Sequence, residues 1–277
     1  MTKVLITGAS GLVGARTTQL LNKEFDWLTP TSKKLDITNN KSVTNYFSAN
    51  TFDLVLHLAA YTNVEMAEKN QELCHKINVL GTDYLFSASQ QKNIPFILIS
   101  TDFVFDGRDK LYDEDHPTNP LSYYGQTKEQ AEKIVKNTGT VLRLSYPYGI
   151  SPASKLDFVR TIINLLKKNV QIKAVQDSLF TPTFLDDIAF QIKYFIKNPK
   201  KGIYHISGSQ ALSPYQAFLE IAKIFNLNQD LITPVKFANY YKNKAPRPQF
   251  CHIISKYKFI NTKSFTQGLY LVKELLD

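Results

Sequence analysis

Four short apolar runs set the frame for this chain: KVLIT at residues 3 to 7, DLVLHLAA at 53 to 60, PFILIS at 95 to 100 and TVLRLS at 140 to 145. Each is too short for an ordinary helix and too continuously apolar for a strand with one wet face, so each reads as a strand buried on both faces. Between them lie helical patterns near residues 12 to 23, 40 to 49, 66 to 91 and 123 to 137. Buried strands that alternate with helices imply a parallel sheet covered on both faces and joined by right-handed crossovers. The expected class is α/β, a doubly wound parallel sheet. After Gly149 the periodicity loosens, although helices are still readable near 156 to 168, 185 to 197 and 214 to 225. No repeat or low-complexity linker intervenes. The expected organisation is therefore one unit over 1 to 150 and a smaller α/β region over 151 to 277, packed directly on it, with some segments returning to the first unit.

At 277 residues the chain can bury a substantial core. Its first residues, MTKVLITGAS, hold only a short apolar run before a glycine, and no later stretch reaches the roughly 20 apolar residues of a spanning helix. A cytoplasmic protein is expected. Cys74 and Cys251 form no Cys-x-x-Cys pair, and His57, His75, His116, His205 and His252 lack ligand spacing, so neither a disulfide framework nor a metal site is expected. The formal charge of +9 is lopsided: residues 151 to 277 hold 18 basic and 8 acidic side chains, residues 1 to 150 hold 15 and 16. A basic half suits an anionic ligand, nucleic acid or a membrane surface, or else scattered solvated lysine, since no dense basic run is present.

VLITGASGLVGARTTQLL sets Gly8, Gly11 and Gly14 between the first strand and the first helix. Glycines there permit a tight turn, close approach of backbone to a pyrophosphate and close helix-to-strand packing, while the helix N-terminus attracts negative charge. A dinucleotide site follows. In such folds a carboxylate at the end of the second strand binds the ribose of NAD. Here Asp26 is expected before that strand, and its end offers Thr31, Ser32, Lys33 and Lys34, which suit the 2′-phosphate of NADP. Asp36 stands where it could accept a hydrogen bond from the adenine amino group. NADPH is expected to be preferred over NADH.

SYYGQTKEQAEK, residues 122 to 133, puts Tyr124 and Lys128 on one helix face, four positions apart. Reduction of a carbonyl needs a proton on oxygen. A tyrosine can give it, and a neighbouring ammonium steadies the phenolate left behind. ILISTDFVFDG offers Ser100 and Thr101 as hydroxyl donors at a strand end, and alternation along the strand lets only one of them face the substrate.

TGASGLVG, LAAYTNVEMAE, STDFVFDG, YYGQTK, LRLSYPYG, FTPTFLDDIA, GIYHISG and APRP follow in the order of the extended short-chain dehydrogenases/reductases. The chain resembles most closely the dTDP-4-dehydrorhamnose reductase group, over nearly its whole length and most specifically through Gly149. That resemblance implies a Rossmann sheet and an NADPH-dependent reduction of a 4-keto-6-deoxy nucleotide sugar, with Thr101, Tyr124 and Lys128 as the catalytic residues. It implies cofactor contacts from Ser10, Leu12 and Val13 beside the glycines, from Ile37 beside Asp36, and from Leu58, Ala59, Ala60, Thr62, Asn78 and Tyr146. Asp102, Phe103 and Arg247 would touch the substrate, Arg247 through its diphosphate. The implied partner is the nucleotide sugar, with neither nucleic acid nor membrane, and a homodimer is left open. The chain departs from the group where Ser178 and Phe180 replace a glutamine and a glycine, where Tyr146 replaces a tryptophan and where Cys251 replaces a serine; these positions are expected on the sugar-facing wall. Two rivals stay open: an NADP-binding regulatory subunit similar to the beta subunit of methionine adenosyltransferase, and a nucleotide-sugar epimerase or reductase of other specificity.

Overall fold

A computed structural model describes residues 1–257 and 259–276. The central sheet is built from β1 (Lys3–Thr7), β2 (Asp26–Leu28), β3 (Leu54–His57), β4 (Phe96–Thr101) and β5 (Thr140–Leu144), all parallel. Shorter strands follow: β6 (Pro147–Tyr148), β7 (Ile172–Val175), β8 (Leu179–Phe180) and β9 (Thr183–Phe184). The sheet's sixth strand is β10 (Gly202–Ile206), parallel to β5, which gives the order β10-β5-β4-β3-β1-β2. The strands β11 (Ile232–Val235) and β12 (Phe250–Cys251) pair with β7 and β8.

Alternation along the strands feeds two cores. Val4, Ile6, Leu56, Ile97 and Leu142 point to one face, where α1 (Leu12–Leu20) and α8 (Leu185–Lys197) lie. Leu5, Val55, Leu98 and Val141 point to the other, beneath α2 (Asn40–Ala49), α5 (Gly81–Gln91) and α6 (Tyr123–Val135). Both faces are dry, as continuous apolar strands require. The remaining helices are α3 (Val64–Lys69), α4 (Gln71–His75), α7 (Phe158–Lys167), α9 (Pro214–Ile224), α10 (Phe237–Tyr241) and α11 (Phe265–Leu276). A third core joins α7, α9 and α11 around Tyr148, Phe184 and Phe265.

The structure corrects several expectations. The helical stretch at 66 to 91 is three pieces, because α3 ends at Asn70 and a wide π turn, Lys76–Leu80, separates α4 from α5. The apolar run 53 to 60 is strand only to His57, and 58 to 60 form a loop. Asp26 does not precede β2 but opens it, paired with Lys3 and exposed. Among the described residues no helix is long and apolar enough to cross a membrane, and no cluster of His, Cys, Asp and Glu could hold a metal ion.

Candidate active site

One cavity of about 1630 Å³ runs along the C-terminal ends of β1, β3, β4 and β5. That is the edge where open α/β sheets bind ligands. Its volume exceeds the roughly 300–1,000 Å³ of an ordinary single-ligand pocket.

At one end lies the glycine loop. Gly8 has φ +74, and a Cβ on it would stand 2.6 Å from the Ala59 nitrogen; a Cβ on Gly14 would stand 2.4 Å from the Gly8 carbonyl oxygen. Only glycine fits either place. The N-cap of α1 is Gly11, with no capping side chain, so the first N–H groups of that helix are left for a ligand. Residues 8 to 14 all line the cavity, as do Leu58, Ala59, Ala60 and Thr62. Beneath them Thr7 shares a hydrogen bond of 2.6 Å with His57 Nδ1 and accepts the Ala59 N–H at 3.3 Å, which fixes the loop after β3. Burial pushes the His57 imidazole down to about 3, so it is a neutral strut.

Past β2 the wall is Thr29, Pro30, Thr31 and Ser32, then Asp36 and Ile37. No carboxylate stands directly at the strand end. Asp36 accepts from Thr38 N–H at 2.9 Å and Thr38 Oγ1 at 2.7 Å, both on Oδ1. Two residues expected at the cofactor stand off the cavity wall. Lys33 is exposed and lines none of it. Asn78 is buried behind the wall, where its Oδ1 accepts the Tyr61 N–H at 2.7 Å and its Nδ2 donates to Thr127 Oγ1 at 2.9 Å. It shapes the loop rather than presenting itself.

The middle of the cavity gathers Thr101, Asp102, Phe103, Tyr124 and Lys128. Ser122 caps α6 by accepting the Gly125 N–H at 3.1 Å, which starts the helix at the right residue to bring Tyr124 and Lys128 onto the cavity face. The choice between the two hydroxyls at the end of β4 is decided by their partners. Ser100 Oγ donates to Glu132 at 2.5 Å, in a buried network with Arg143. Thr101 Oγ1 donates to Asp102 Oδ1 at 3.0 Å and neighbours the Tyr124 phenol. Burial pushes the Tyr124 phenol well above its ordinary range, against a smaller pull from Thr101. Burial also brings the Lys128 ammonium down to about 8, opposed by the charge of Glu132. Lys128 Nζ donates to the Ile99 carbonyl at 2.8 Å. Asp102, buried and accepting from Ser145 Oγ at 2.7 Å, is pushed up to about 7 by the loss of water. Such a centre can protonate a carbonyl oxygen and steady the charge left on the phenol.

At the far end stand Tyr146, Tyr240, Tyr241, Lys244 and Arg247, while Lys155 lies nearer the first end and donates to Thr62 Oγ1 at 3.4 Å. Of these only Tyr146 and Arg247 were expected. Lys155, Lys244 and the tyrosine pair fall in stretches without motif spacing, and composition alone had only the basic excess to point there. Tyr146 is held at φ +40 with its ring 4.6 Å from that of Phe180. Of the four departures from the family pattern, Tyr146 alone lines the cavity. Ser178, Phe180 and Cys251 lie behind the wall, with Phe180 packed under Tyr146 and Cys251 buried beside the Pro248 carbonyl.

With this geometry in view, residues 1–269 match the family described as RmlD substrate binding domain. A dTDP-4-dehydrorhamnose reductase from Aggregatibacter actinomycetemcomitans is 32% identical over 90% of this chain and 89% of its own. The spore coat polysaccharide biosynthesis protein SpsK of Bacillus subtilis is 31% identical over 90% of this chain and 88% of its own. The crystal structure of dTDP-4-dehydrorhamnose reductase from Bacillus anthracis, in complex with NADP, superposes with a TM-score of 0.92 at 31% identity, covering 99% of this chain and 100% of that one.

Proposed function

The chain belongs to the RmlD substrate binding domain family, and from that premise we propose that its cavity carries out the NADPH-dependent reduction of a 4-keto-6-deoxy nucleotide sugar, as in dTDP-4-dehydrorhamnose reductases. One observation carries the reading: a single cavity joins the glycine loop, the Thr101–Tyr124–Lys128 centre and the cationic far wall. The open helix N-terminus at Gly11 and the absence of room for a Cβ at Gly8 and Gly14 fit a dinucleotide pyrophosphate. Hydroxyls at Thr29, Thr31 and Ser32, with no carboxylate among them, favour the phosphorylated cofactor over NADH. When bound, NADPH supplies the hydride.

The chain's own residues do the rest. Tyr124 holds the proton that the carbonyl oxygen takes, and Thr101, turning its single hydroxyl proton from Asp102 Oδ1 to the substrate, donates a hydrogen bond to that oxygen. Lys128 supplies the positive charge that lets the phenol part with its proton. Asp102 and Phe103 flank the sugar, and Arg247 takes the diphosphate. In this reading residues 1 to 150 hold the cofactor and residues 151 to 277 mainly hold the sugar nucleotide. The proposed compartment is the cytoplasm, consistent with two free, buried thiols. A homodimer is the proposed assembly; light scattering that reads a single chain mass would remove it.

Tyr124→Phe tests the central claim. NADPH affinity, followed by nicotinamide fluorescence, should stay within about twofold, while turnover of the 4-keto sugar falls by on the order of 10²-fold or more, the worth of a positioned acid. A wild-type protein inert toward such sugars but firmly bound to another protein would return the regulatory-subunit reading.

A further inference from the structure

Arg247 stands at the far wall, and what holds it there is a residue from the cofactor side. Glu65, in the first turn of α3, accepts the Ala245 N–H on Oε2 at 2.9 Å and Arg247 Nη1 on Oε1 at 2.6 Å. One carboxylate thus bridges two stretches 180 residues apart in sequence. Those bonds hold its own acidity below the usual range, the Ala245 N–H first and Arg247 second, so it stays charged. The arm it fastens is anchored at its start, where the Phe237 N–H donates to Asp177 Oδ1 at 2.7 Å, and between that point and Ala245 it packs mainly on itself. The helix α10 buries none of its residues, and the arm's cations rest on its own rings, Lys244 3.6 Å over Tyr240 and Arg247 5.0 Å over Tyr241.

We infer that Glu65 is a positioning residue for nucleotide-sugar capture, tying the arm from α10 to Arg247 against the cofactor wall and orienting the guanidinium for phosphate. Among the described residues Arg247 spends only Nη1 on Glu65 and on the Ala245 carbonyl, so Nε and Nη2 are left for phosphate oxygens. A guanidinium fixed through one nitrogen before the ligand arrives loses less rotamer freedom on binding. Because Glu65 follows directly on the loop of Ala59, Ala60 and Thr62, the tie also sets the distance between the cofactor wall and the substrate wall. The inference rests on the reading of Arg247 as the diphosphate ligand.

Calorimetric titration with a nucleoside diphosphate, dTDP, separates the two claims. Arg247→Ala should weaken dTDP binding, and Glu65→Ala should weaken it about two- to fivefold, the scale of one partly exposed charge pair. The double variant should be no weaker than Arg247→Ala alone. In steady state Glu65→Ala should raise KM for the nucleotide sugar more than it lowers kcat, and Glu65→Gln, which keeps an acceptor for the Ala245 N–H, should fall between it and wild type. Unchanged or tighter dTDP binding in Glu65→Ala, with weakened binding in Arg247→Ala, overturns the positioning role. Parallel losses of dTDP affinity, NADPH affinity and melting temperature in Glu65→Ala also overturn it, by assigning Glu65 to general stability. If Arg247→Ala itself binds dTDP as wild type does, it is the diphosphate reading that fails.

Discussion

Tyr124 and Lys128 sit one turn apart on α6, and burial moves them in opposite senses. The phenol is pushed up and keeps its proton throughout the neutral range, while the ammonium is brought from 10.5 down to about 8. In the proposed reaction the pair therefore loses its cation before its proton donor. Turnover should fall as pH rises through about 8, and Lys128→Met should remove that inflection along with most of the rate. The sign for stability is the reverse. With a folded value below the unfolded one, the unfolded chain binds more protons between about 8 and 10.5, so this group's contribution improves as pH rises through that window. Lys128→Met should accordingly raise the melting temperature most near pH 7, where a buried charge is removed, and least above pH 10.5; pH-resolved thermal scans check it.

A strand of the sheet and the helix that covers it are fastened by a buried ion pair. Arg143 on β5 meets Glu132 on α6 at 2.7 Å, both side chains almost fully enclosed, with Ser100 of β4 donating to the same carboxylate. Breaking such a pair from one side leaves a stranded charge and costs roughly 3–5 kcal/mol, whereas replacing both partners by apolar groups is often neutral. Glu132→Leu should unfold at clearly lower urea concentration than wild type, and Glu132→Leu with Arg143→Leu should recover most of the loss. This pair also marks what the sequence displayed and what it hid. The strands near 3 to 7, 95 to 100 and 140 to 145 were legible because apolar runs need burial on both faces. Neither β10 nor α11 was read as an element: GIYHI carries a histidine and a tyrosine, and the Ser264-x-x-Gln267 capping box that starts the last helix, with the Gln267 N–H donating to Ser264 Oγ at 3.2 Å and the Ser264 N–H to Gln267 Oε1 at 2.9 Å, went unrecognised. The break at Asn70 was hidden because helical periodicity continues on both sides of it. At the site, the glycine loop and the Tyr124–Lys128 pair were legible because their spacing is local. Thr101 over Ser100 was legible only through the family resemblance, because the partners behind that choice, like the tie from Glu65 to Arg247, lie 30 to 180 residues away, where no local pattern encodes them.

Across the whole molecule the charge imbalance takes on a location. The basic excess of residues 151 to 277 reaches the cavity as Lys244 and Arg247 at the proposed substrate end and as Lys155 beside Thr62, while the glycine loop itself presents glycines, hydroxyls and backbone N–H groups. Long-range attraction should then belong to the sugar nucleotide. Screening that shrinks the Debye length from about 10 Å at 0.1 M salt to about 3 Å at 1 M should raise its KM severalfold and change NADPH affinity less. Salt titrations of both, read side by side, decide it, and equal slopes would sever the excess from the substrate. The sheet has a consequence of its own. Its fifth strand ends at Leu144, but the neighbour that covers that edge, β10, begins at Gly202, and Asp186, which holds Arg16 of α1 at 2.6 Å, is also encoded late. On the ribosome the first 150 residues thus emerge with a bare sheet edge and an unmatched arginine. The nascent protein cannot complete its first fold until some 60 further residues have been translated, so the order of synthesis and the order of assembly diverge.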